Sequence, residues 1–197
     1  MSENSQIKCV IFDLDGTLTD TQLLHDRSYS KALLEQGVEI DIEEIKLKHR
    51  GKTGIKMLRD IEIERNTKID IDSILPRKTQ LFNEFSSEIT IFPLMETLLK
   101  LFSAHYITAL MTVSRKESVN IVLNVLGIND LFDLIFTAED MNGGKDSPEV
   151  FVAIAKKLKL GPRECLIIDD SKMALKNASL AGMQVLEARN GTMKTFQ

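Results

Sequence analysis

Val10-Ile11-Phe12-Asp13-Leu14-Asp15-Gly16-Thr17-Leu18 is the stretch that decides the fold of this chain. An apolar run typical of a buried strand passes directly into two aspartates that stand two positions apart. In open α/β sheets ligands bind beyond the carboxyl ends of the strands, so Asp13 and Asp15 stand where chemistry is expected. Alone, the pattern is also an ordinary turn. An EF-hand loop is excluded, because Leu18 and Leu24 stand where that loop needs glycine and glutamate.

A second acidic stretch repeats this arrangement late in the chain. Leu166-Ile167-Ile168-Asp169-Asp170-Ser171 is again an apolar run that passes directly into acids. Two such strands in a parallel sheet would bring up to four carboxylates to one edge, where a hard divalent cation with oxygen ligands would offset their repulsion. Asp169 and Asp170 could also merely cap the helix that follows, since aspartate is favoured there. Acidic pairs at the ends of two buried strands favour a cation site.

The spacing of apolar residues predicts an α/β fold. Short apolar runs predict strands at Ile7–Phe12, Tyr106–Thr112, Leu134–Thr137, Cys165–Asp169 and Gln184–Glu187. Helical patterns fill the gaps between the later runs, and they begin near Ser114, Ser147 and Ser171. Strands that alternate with helices of this length indicate a Rossmann-like parallel sheet.

The gap after the first strand is different. Four helices are predicted there, at about Thr19–Gln36, Asp41–His49, Thr53–Asn66 and Asp72–Ser87. An all-helical stretch inside an α/β pattern is best explained as an inserted domain over one end of the sheet. We therefore predict an α/β core of residues 1–18 and 90–197 and an all-helical cap of residues 19–89.

Composition narrows the class of protein. The chain has 197 residues, 25 Lys and Arg against 29 Asp and Glu, and a net charge of −4, which argues against a protein that coats nucleic acid. No apolar stretch is long enough to span a bilayer, and the first residues lack an apolar signal region. We expect a cytoplasmic monomer with no nucleic-acid or membrane partner. Cys9 and Cys165 lie in apolar runs, so reduced buried thiols are expected.

Two further elements suit a phosphate group. The second predicted strand ends in the hydroxyl of Thr112, and Ser114 stands at the start of the next helix, where free amides favour an anion. Lys145 follows two glycines in a loop before a later helix. A lysine in a loop is usually only solvated, and a Walker A reading fails because Glu139 and Asp146 stand where that motif needs Gly and Ser or Thr.

In this order the motifs resemble those of the haloacid dehalogenase superfamily of phosphohydrolases, in the branch with a helical cap after the first strand. Asp13-Leu14-Asp15-Gly16-Thr17-Leu18-Thr19-Asp20 is similar to its first motif. Thr112, Lys145 and Asp169-Asp170-Ser171 are similar to the second, third and fourth. The resemblance covers nearly the whole chain and extends to phosphoglycolate phosphatases and β-phosphoglucomutases.

The resemblance implies a Mg²⁺-dependent phosphatase that hydrolyses a small-molecule phosphate ester. Asp13 would attack phosphorus to give an aspartyl phosphate, and Asp15 would protonate the leaving oxygen and later deprotonate water. Mg²⁺ would be held by the Asp13 side chain, the Asp15 backbone carbonyl and Asp170, with Asp169 assisting. Thr112 and Lys145 would hold the phosphate oxygens. True dehalogenases generally lack the acid at the position of Asp15, so phosphorus chemistry is favoured.

The cap supplies candidate substrate contacts. His49-Arg50-Gly51-Lys52 is similar to a cap loop that closes over the active site in relatives, and it lies in a basic stretch without acids. A solvated basic helix face is the ordinary reading of such a stretch. Our hypothesis is that Arg50 or Lys52 contacts an anionic part of the substrate, with Ser114 as a further substrate-binding residue.

Departures from the family pattern keep alternatives open. Val113 and Asp146 stand where relatives often have asparagine and proline, and Ala174 stands where some have a further acid. A sugar-phosphate mutase would carry the same motifs. A non-catalytic phosphate-binding module is less favoured. A phosphonatase would need a Schiff-base lysine in the cap, for which Lys52 is a conceivable candidate.

Overall fold

A six-stranded sheet forms the centre of the molecule. The computed structural model describes residues 6–49, 52–141 and 144–194. Within these ranges the strands are β1 (Cys9–Phe12), β2 (Ile107–Met111), β3 (Leu134–Phe136), β4 (Cys165–Asp169), β5 (Gln184–Arg189) and β6 (Thr192–Lys194). Their order is β3-β2-β1-β4-β5-β6, and all neighbours are parallel except the hairpin of β5 and β6.

Helices connect the strands and cover the sheet. The α-helices of the described ranges are α1 (Gln22–Leu34), α2 (Ile42–Lys48), α3 (Gly54–Arg65), α4 (Ile71–Glu84), α5 (Pro93–Ser103), α6 (Lys116–Leu126), α7 (Pro148–Lys157) and α8 (Lys172–Leu180). The first four follow one another between β1 and α5. The later ones alternate with the strands, as expected for a parallel sheet.

Strand β1 is apolar on both sides because both faces of the sheet are covered. Cys9 and Ile11 lie in a cluster with α7 and α8, whereas Val10 and Phe12 lie in a second cluster with α5 and α6. Successive side chains of a strand point to opposite faces, so an unbroken apolar run is what a doubly covered strand requires. Because its side chains are buried on both faces, β1 has one register in the sheet, and this fixes the position of the residue that follows it.

The helical insertion has a core of its own. Apolar side chains of α1 to α4, among them Leu33, Leu58, Ile61 and Ile74, form a third buried cluster. The insertion joins the sheet through two segments that lie side by side. Backbone hydrogen bonds run from Asp20 N to Thr90 O and from Phe92 N to Leu18 O, at 3.0 and 2.9 Å.

The α/β class with an inserted all-helical cap is therefore confirmed. The boundaries at residues 18/19 and 89/90 stay a prediction. Helix α5 and strand β6 were not predicted, because α5 has no clear capping residue and β6 is a three-residue edge strand.

The start of α6 differs from the prediction. Its N-cap is Arg115, which makes no side-chain cap, and Ser114 lies outside the helix. The reason is a competing partner, because the Ser114 hydroxyl donates to the carboxylate of Asp15. By contrast, α8 begins near Ser171 as expected, and Ser171 itself is the cap, accepting a hydrogen bond from Ala174 N.

Two smaller findings concern the thiols and the membrane. Cys9 and Cys165 are free, buried and opposite each other on neighbouring strands. Among the described residues, no helix has both the length and the apolar character needed to cross a bilayer.

Candidate active site

The acids meet where the strand order reverses. Strands β1 and β4 are neighbours, with Phe12 opposite Ile168, and the chain order runs outward from them in both directions. Ligands of doubly wound sheets bind at this point. Asp13 follows β1 and its backbone N–H donates to Ile168 O at 2.9 Å. Carboxylate oxygens of Asp13, Asp169 and Asp170 lie within 4.8 Å of one another.

Lys145 reaches the same cluster from the loop before α7. Its Nζ donates to Asp13 Oδ1 at 2.6 Å and to Asp169 Oδ2 at 2.7 Å, and only 4% of the residue is exposed. Asn177 fixes the loop by donating from Nδ2 to the Lys145 carbonyl at 3.0 Å. Burial acts to lower the pKa of Lys145, but the two carboxylates outweigh it and raise the pKa, so the side chain stays cationic.

The carboxyl of Asp13 lies among other carboxyl groups as well as beside Lys145. Burial raises the pKa of its carboxyl, and the neighbouring Asp169, Asp170 and Asp15 raise it further against the single ammonium of Lys145. The cluster thus holds more negative charge than its one lysine offsets. Three convergent carboxylates are hard oxygen donors of the kind that Mg²⁺ or Ca²⁺ prefers, so the residues fit a divalent cation.

Asp15 lies two residues further on, in a different environment. Its Oδ1 accepts hydrogen bonds from Thr21 Oγ1 and from His25 Nε2 at 3.0 Å, and its Oδ2 accepts from Ser114 Oγ at 2.6 Å and Thr112 Oγ1 at 3.4 Å. Burial acts to raise the pKa of Asp15, but His25 and the hydroxyls outweigh it and hold the pKa well below its ordinary value. The resting carboxylate is therefore ionised.

His25 and Lys78 form a second buried pair behind Asp15. Lys78 Nζ, on α4, lies 2.6 Å from His25 Nδ1 and 3.2 Å from Ser118 Oγ. The ammonium also lies over the rings of Tyr29 and Phe82, at 5.1 and 4.6 Å from their centroids. Burial lowers the pKa of Lys78 to about 7.

Sequence reasoning missed this pair, although a signal existed. The buried face of α4 carries apolar residues at helical spacing, including Ile74, Leu75 and Leu81, and Lys78 falls in the middle of that stripe. A buried ammonium group is costly unless it is paired. A lysine on a buried helix face therefore indicates a network of polar partners with a functional or structural role.

Gln22 is a further residue that the sequence did not indicate. It is the first residue of α1, and its Nε2 donates to the Asp15 backbone carbonyl at 2.8 Å and to Asp170 Oδ2 at 3.3 Å. The side chain therefore spans the acids of both strands.

A cavity of about 360 Å³ lies between the sheet edge and the helical insertion. It is lined from the sheet side by Asp13, Asp15, Thr112, Ser114, Lys145, Asp169 and Asp170, and from the helical insertion by Gln22, His25, Asp26, Tyr29, Ile45, His49, Lys52, Met57 and Lys78. The structure thus brings together all the predicted site residues that it describes. Arg50 lies outside the described residues.

The two remaining sequence features have contacts of their own. Lys52 lines the cavity, but its Nζ donates to Asp60 Oδ2 at 2.6 Å, so its charge is partly offset. Asp146, where relatives often have proline, accepts a hydrogen bond from Lys56 Nζ at 2.6 Å. This ion pair joins α3 of the insertion to the loop that carries Lys145. Val113 packs against the apolar cluster beneath α7 and α8.

The family model of the haloacid dehalogenase-like hydrolases matches residues 10–188, which include all the site residues named above. The chain belongs to the haloacid dehalogenase-like hydrolase family. Among similar members is the 6-phosphogluconate phosphatase of Escherichia coli, 27% identical over 92% of this chain and 82% of that protein. Fructose-1-phosphate phosphatase of the same organism is 24% identical over 91% and 95%.

Solved structures of haloacid dehalogenase-like hydrolases agree with the fold. A crystal structure of β-phosphoglucomutase from Clostridium difficile has a TM-score of 0.77 and 29% identity, and the match covers 94% of this chain and 92% of that one. The predicted family is confirmed. The names of these relatives agree with the prediction of a phosphoric monoester hydrolase.

Proposed function

We propose that the protein is a Mg²⁺-dependent phosphatase that hydrolyses a small phosphate monoester through an aspartyl phosphate on Asp13. The observation that carries the proposal is the contrast between two aspartates that stand two positions apart after β1. Asp13 faces Lys145, Asp169 and Asp170, whereas the Asp15 carboxylate accepts hydrogen bonds from Ser114 and His25. Carboxylates held in different environments can take different roles in one reaction.

Asp13 is the proposed nucleophile. Its carboxylate oxygen forms a bond to phosphorus as the bond from phosphorus to the ester oxygen breaks, and the leaving alcohol oxygen takes the proton carried by Asp15. Water then attacks the aspartyl phosphate, Asp15 takes a proton from that water, and inorganic phosphate and the free Asp13 carboxylate result. Asp15 gives up a proton in the first half-reaction and takes one back in the second, so it returns to the protonated form in which the reaction began.

Asp15 must be protonated for the first half of the reaction, although the resting site holds it ionised. A phosphate dianion placed beside it raises the pKa of Asp15 by repulsion between like charges. Substrate binding itself therefore favours the protonated acid. The hydroxyls of Thr21 and Ser114 can rotate to accept a hydrogen bond from it.

The proposed metal ligands are the side chains of Asp13 and Asp170 and the backbone carbonyl of Asp15, with Asp169 in support. The convergent oxygens of the acids favour this assignment. A bound Mg²⁺ would neutralise negative charge where two anions must approach each other. Lys145 and Thr112 are placed to hold the remaining phosphate oxygens.

The cavity favours a small substrate. A volume of about 360 Å³ suits a phosphorylated compound of monosaccharide size rather than a polymer. The relatives named as phosphatases of 6-phosphogluconate and of fructose 1-phosphate point to the same class. We propose sugar phosphates and related polyol or hydroxy-acid phosphates as substrates.

The proposal is tested by phosphate release from such esters, with Mg²⁺ and with a chelator. Asp13→Asn should abolish release, because an amide does not attack phosphorus, while Asp130→Asn, at an exposed position outside the motifs, should behave as wild type. Release that survives Asp13→Asn would exclude the aspartyl-phosphate mechanism. Wild-type release that is unchanged by the chelator would exclude the metal.

A sugar-phosphate mutase is the second candidate. The match to the β-phosphoglucomutase structure over nearly its whole length favours it. A mutase would transfer the phosphoryl group from Asp13 to another hydroxyl of a sugar. Phosphorus NMR of sugar phosphate incubations separates the two, since a mutase gives an isomeric ester and a phosphatase gives inorganic phosphate.

A further inference from the structure

The side chain of Gln22 bridges two oxygens on different strands. Its Nε2 donates to the backbone carbonyl of Asp15 at 2.8 Å and to Oδ2 of Asp170 at 3.3 Å. A carbonyl and a carboxylate only accept hydrogen bonds, so the amide nitrogen rather than the amide oxygen faces them.

The turn after β1 makes room for this contact. Gly16 has a φ of +86°, and a Cβ at that position would lie 2.5 Å from Gln22 Nε2 and 2.9 Å from Asp170 Oδ2. A side chain at residue 16 would therefore separate the two groups. The glycine both permits the left-handed turn and leaves the space in which the amide meets the carboxylate.

The same two oxygens are among the ligands assigned above to Mg²⁺. Lys145 covers the other side of the cluster, with its Nζ on Asp13 and Asp169. Mg²⁺ requires its ligand oxygens at about 2.0–2.1 Å in a nearly octahedral arrangement. An N–H group directed at the same lone pairs as a cation is repelled by it, because its hydrogen carries positive charge.

We propose that Gln22 is an intramolecular competitor of the metal: its carboxamide occupies the cation's side of Asp15 O and Asp170, and it turns away when the metal binds. This inference rests on the proposed metal site and adds a residue that sets its affinity. It makes the apparent affinity weaker than the acids alone would give, because binding must break two hydrogen bonds.

The competition between Gln22 and the metal also affects how the helical insertion is attached to the sheet. Gln22 is in the first turn of α1, next to the N-cap Thr21 and one turn before His25, and those two residues hold the carboxylate of Asp15. Releasing Gln22 therefore loosens one of the attachments between the start of α1 and the first motif. Metal binding and the packing of α1 against the first motif are therefore linked through this side chain.

The test is Mg²⁺ binding to the full chain without substrate, measured by isothermal titration calorimetry. Gln22→Ala and Gln22→Met should each lower the Kd about three- to tenfold, the range expected for losing modest hydrogen bonds. The methionine variant keeps the volume and removes only the donors. Leu23→Ala, a neighbouring and half-exposed side chain of the same turn, is the control and should bind as wild type.

Unchanged or weaker binding in both Gln22 variants would overturn the inference, and weaker binding would instead identify the Gln22 amide oxygen as a ligand. Absence of Mg²⁺ binding in wild type and variants alike would also overturn it. A merely structural role for Gln22 predicts lower thermal stability without tighter binding. Phosphate release by the wild type is measured separately, so failure of the proposed reaction is distinguished from failure of the competition.

Discussion

Lys78 Nζ lies 2.6 Å from Nδ1 of His25, and this contact fixes which form of the imidazole faces the first motif. Below pH 7, where Lys78 is protonated, its ammonium only donates, so Nδ1 accepts and the ring proton lies on Nε2, where it points to Asp15 at 3.0 Å. Burial lowers the pKa of His25, and the Lys78 charge lowers it further, which agrees with a neutral ring. A lysine of α4 thereby determines the hydrogen bonding of a carboxylate on the sheet.

Lys78→Met should make the protein more stable and remove a pH dependence. The folded chain releases the Lys78 proton near pH 7, whereas the unfolded chain holds it to about pH 10. Between these values the unfolded state binds more protons, so the wild-type unfolding free energy rises with pH by at most ~1.4 kcal/mol per pH unit relative to Lys78→Met. Denaturant unfolding at pH 6, 7, 8 and 9 measures the difference.

The control for this prediction is Lys68→Met, an exposed cap lysine. A wild-type minus Lys78→Met difference that is flat from pH 7 to 9 would contradict the lowered pKa of Lys78.

His25→Asn should slow the reaction in a way that depends on the leaving group. The imidazole is hydrogen-bonded to Asp15, the proposed acid for the departing alcohol, so esters of alkyl alcohols should lose about tenfold or more in kcat. An aryl ester such as p-nitrophenyl phosphate needs little protonation and should lose much less. The ratio of the two kcat values is the measurement, and His105→Asn, at an exposed histidine, should leave it unchanged. An equal loss on both esters would remove His25 from the acid step.

Lys145→Met should destabilise the fold, and more at pH 8 than at pH 5. Without the ammonium, burial and Asp169 raise the folded-state pKa of Asp13 further above its unfolded value. A carboxyl with a raised folded pKa stabilises the fold at low pH, and this contribution is lost as the pH rises through that pKa. Loss of one partner from a buried ion pair costs about 3–5 kcal/mol, which sets the scale at pH 8.

Thermal unfolding of the Lys145 variant beside Lys176→Met, an exposed lysine of α8, checks this expectation. Equal destabilisation at both pH values would mean that Asp13 does not take up a proton.

The Lys56–Asp146 ion pair should affect turnover more than stability. Both side chains are partly exposed, so the pair contributes no more than about 1 kcal/mol to the fold. It nevertheless joins the insertion to the residue next to Lys145. Lys56→Glu should therefore raise KM severalfold, and the exchange Lys56→Glu with Asp146→Lys should restore it. A KM that stays high in the double variant would show that the pairing itself is not responsible.

The sequence predicted the residues whose positions follow from the sheet alone. Asp13, Asp169 and Asp170 stand directly at the ends of apolar strands, and parallel pairing brings such ends together whatever the loops do. Lys145 and Thr112 were found from their order along the chain. A local pattern is sufficient for the acids and Thr112 because each lies at or next to the end of a strand, whereas Lys145 follows only from the order of the motifs.

The missed residues depend on how helices sit on the sheet. Gln22, His25 and Lys78 reach the site only because α1 and α4 pack with one particular rotation over the strand ends, and periodicity does not give that rotation. Ser114 was assigned to a helix cap because the competing carboxylate of Asp15 is distant in sequence. Tertiary contacts therefore override the local preference at this position.

The paired segments at residues 18–20 and 90–92 have a consequence for how such a protein can change. The insertion begins and ends in two short segments that are hydrogen-bonded to each other, so its two ends lie side by side. A helical unit of another size could be grafted at this junction at little cost in chain entropy, and the turn that carries Asp13 would stay where it is. The position of Asp13 on the sheet and the size of the insertion can thus evolve separately.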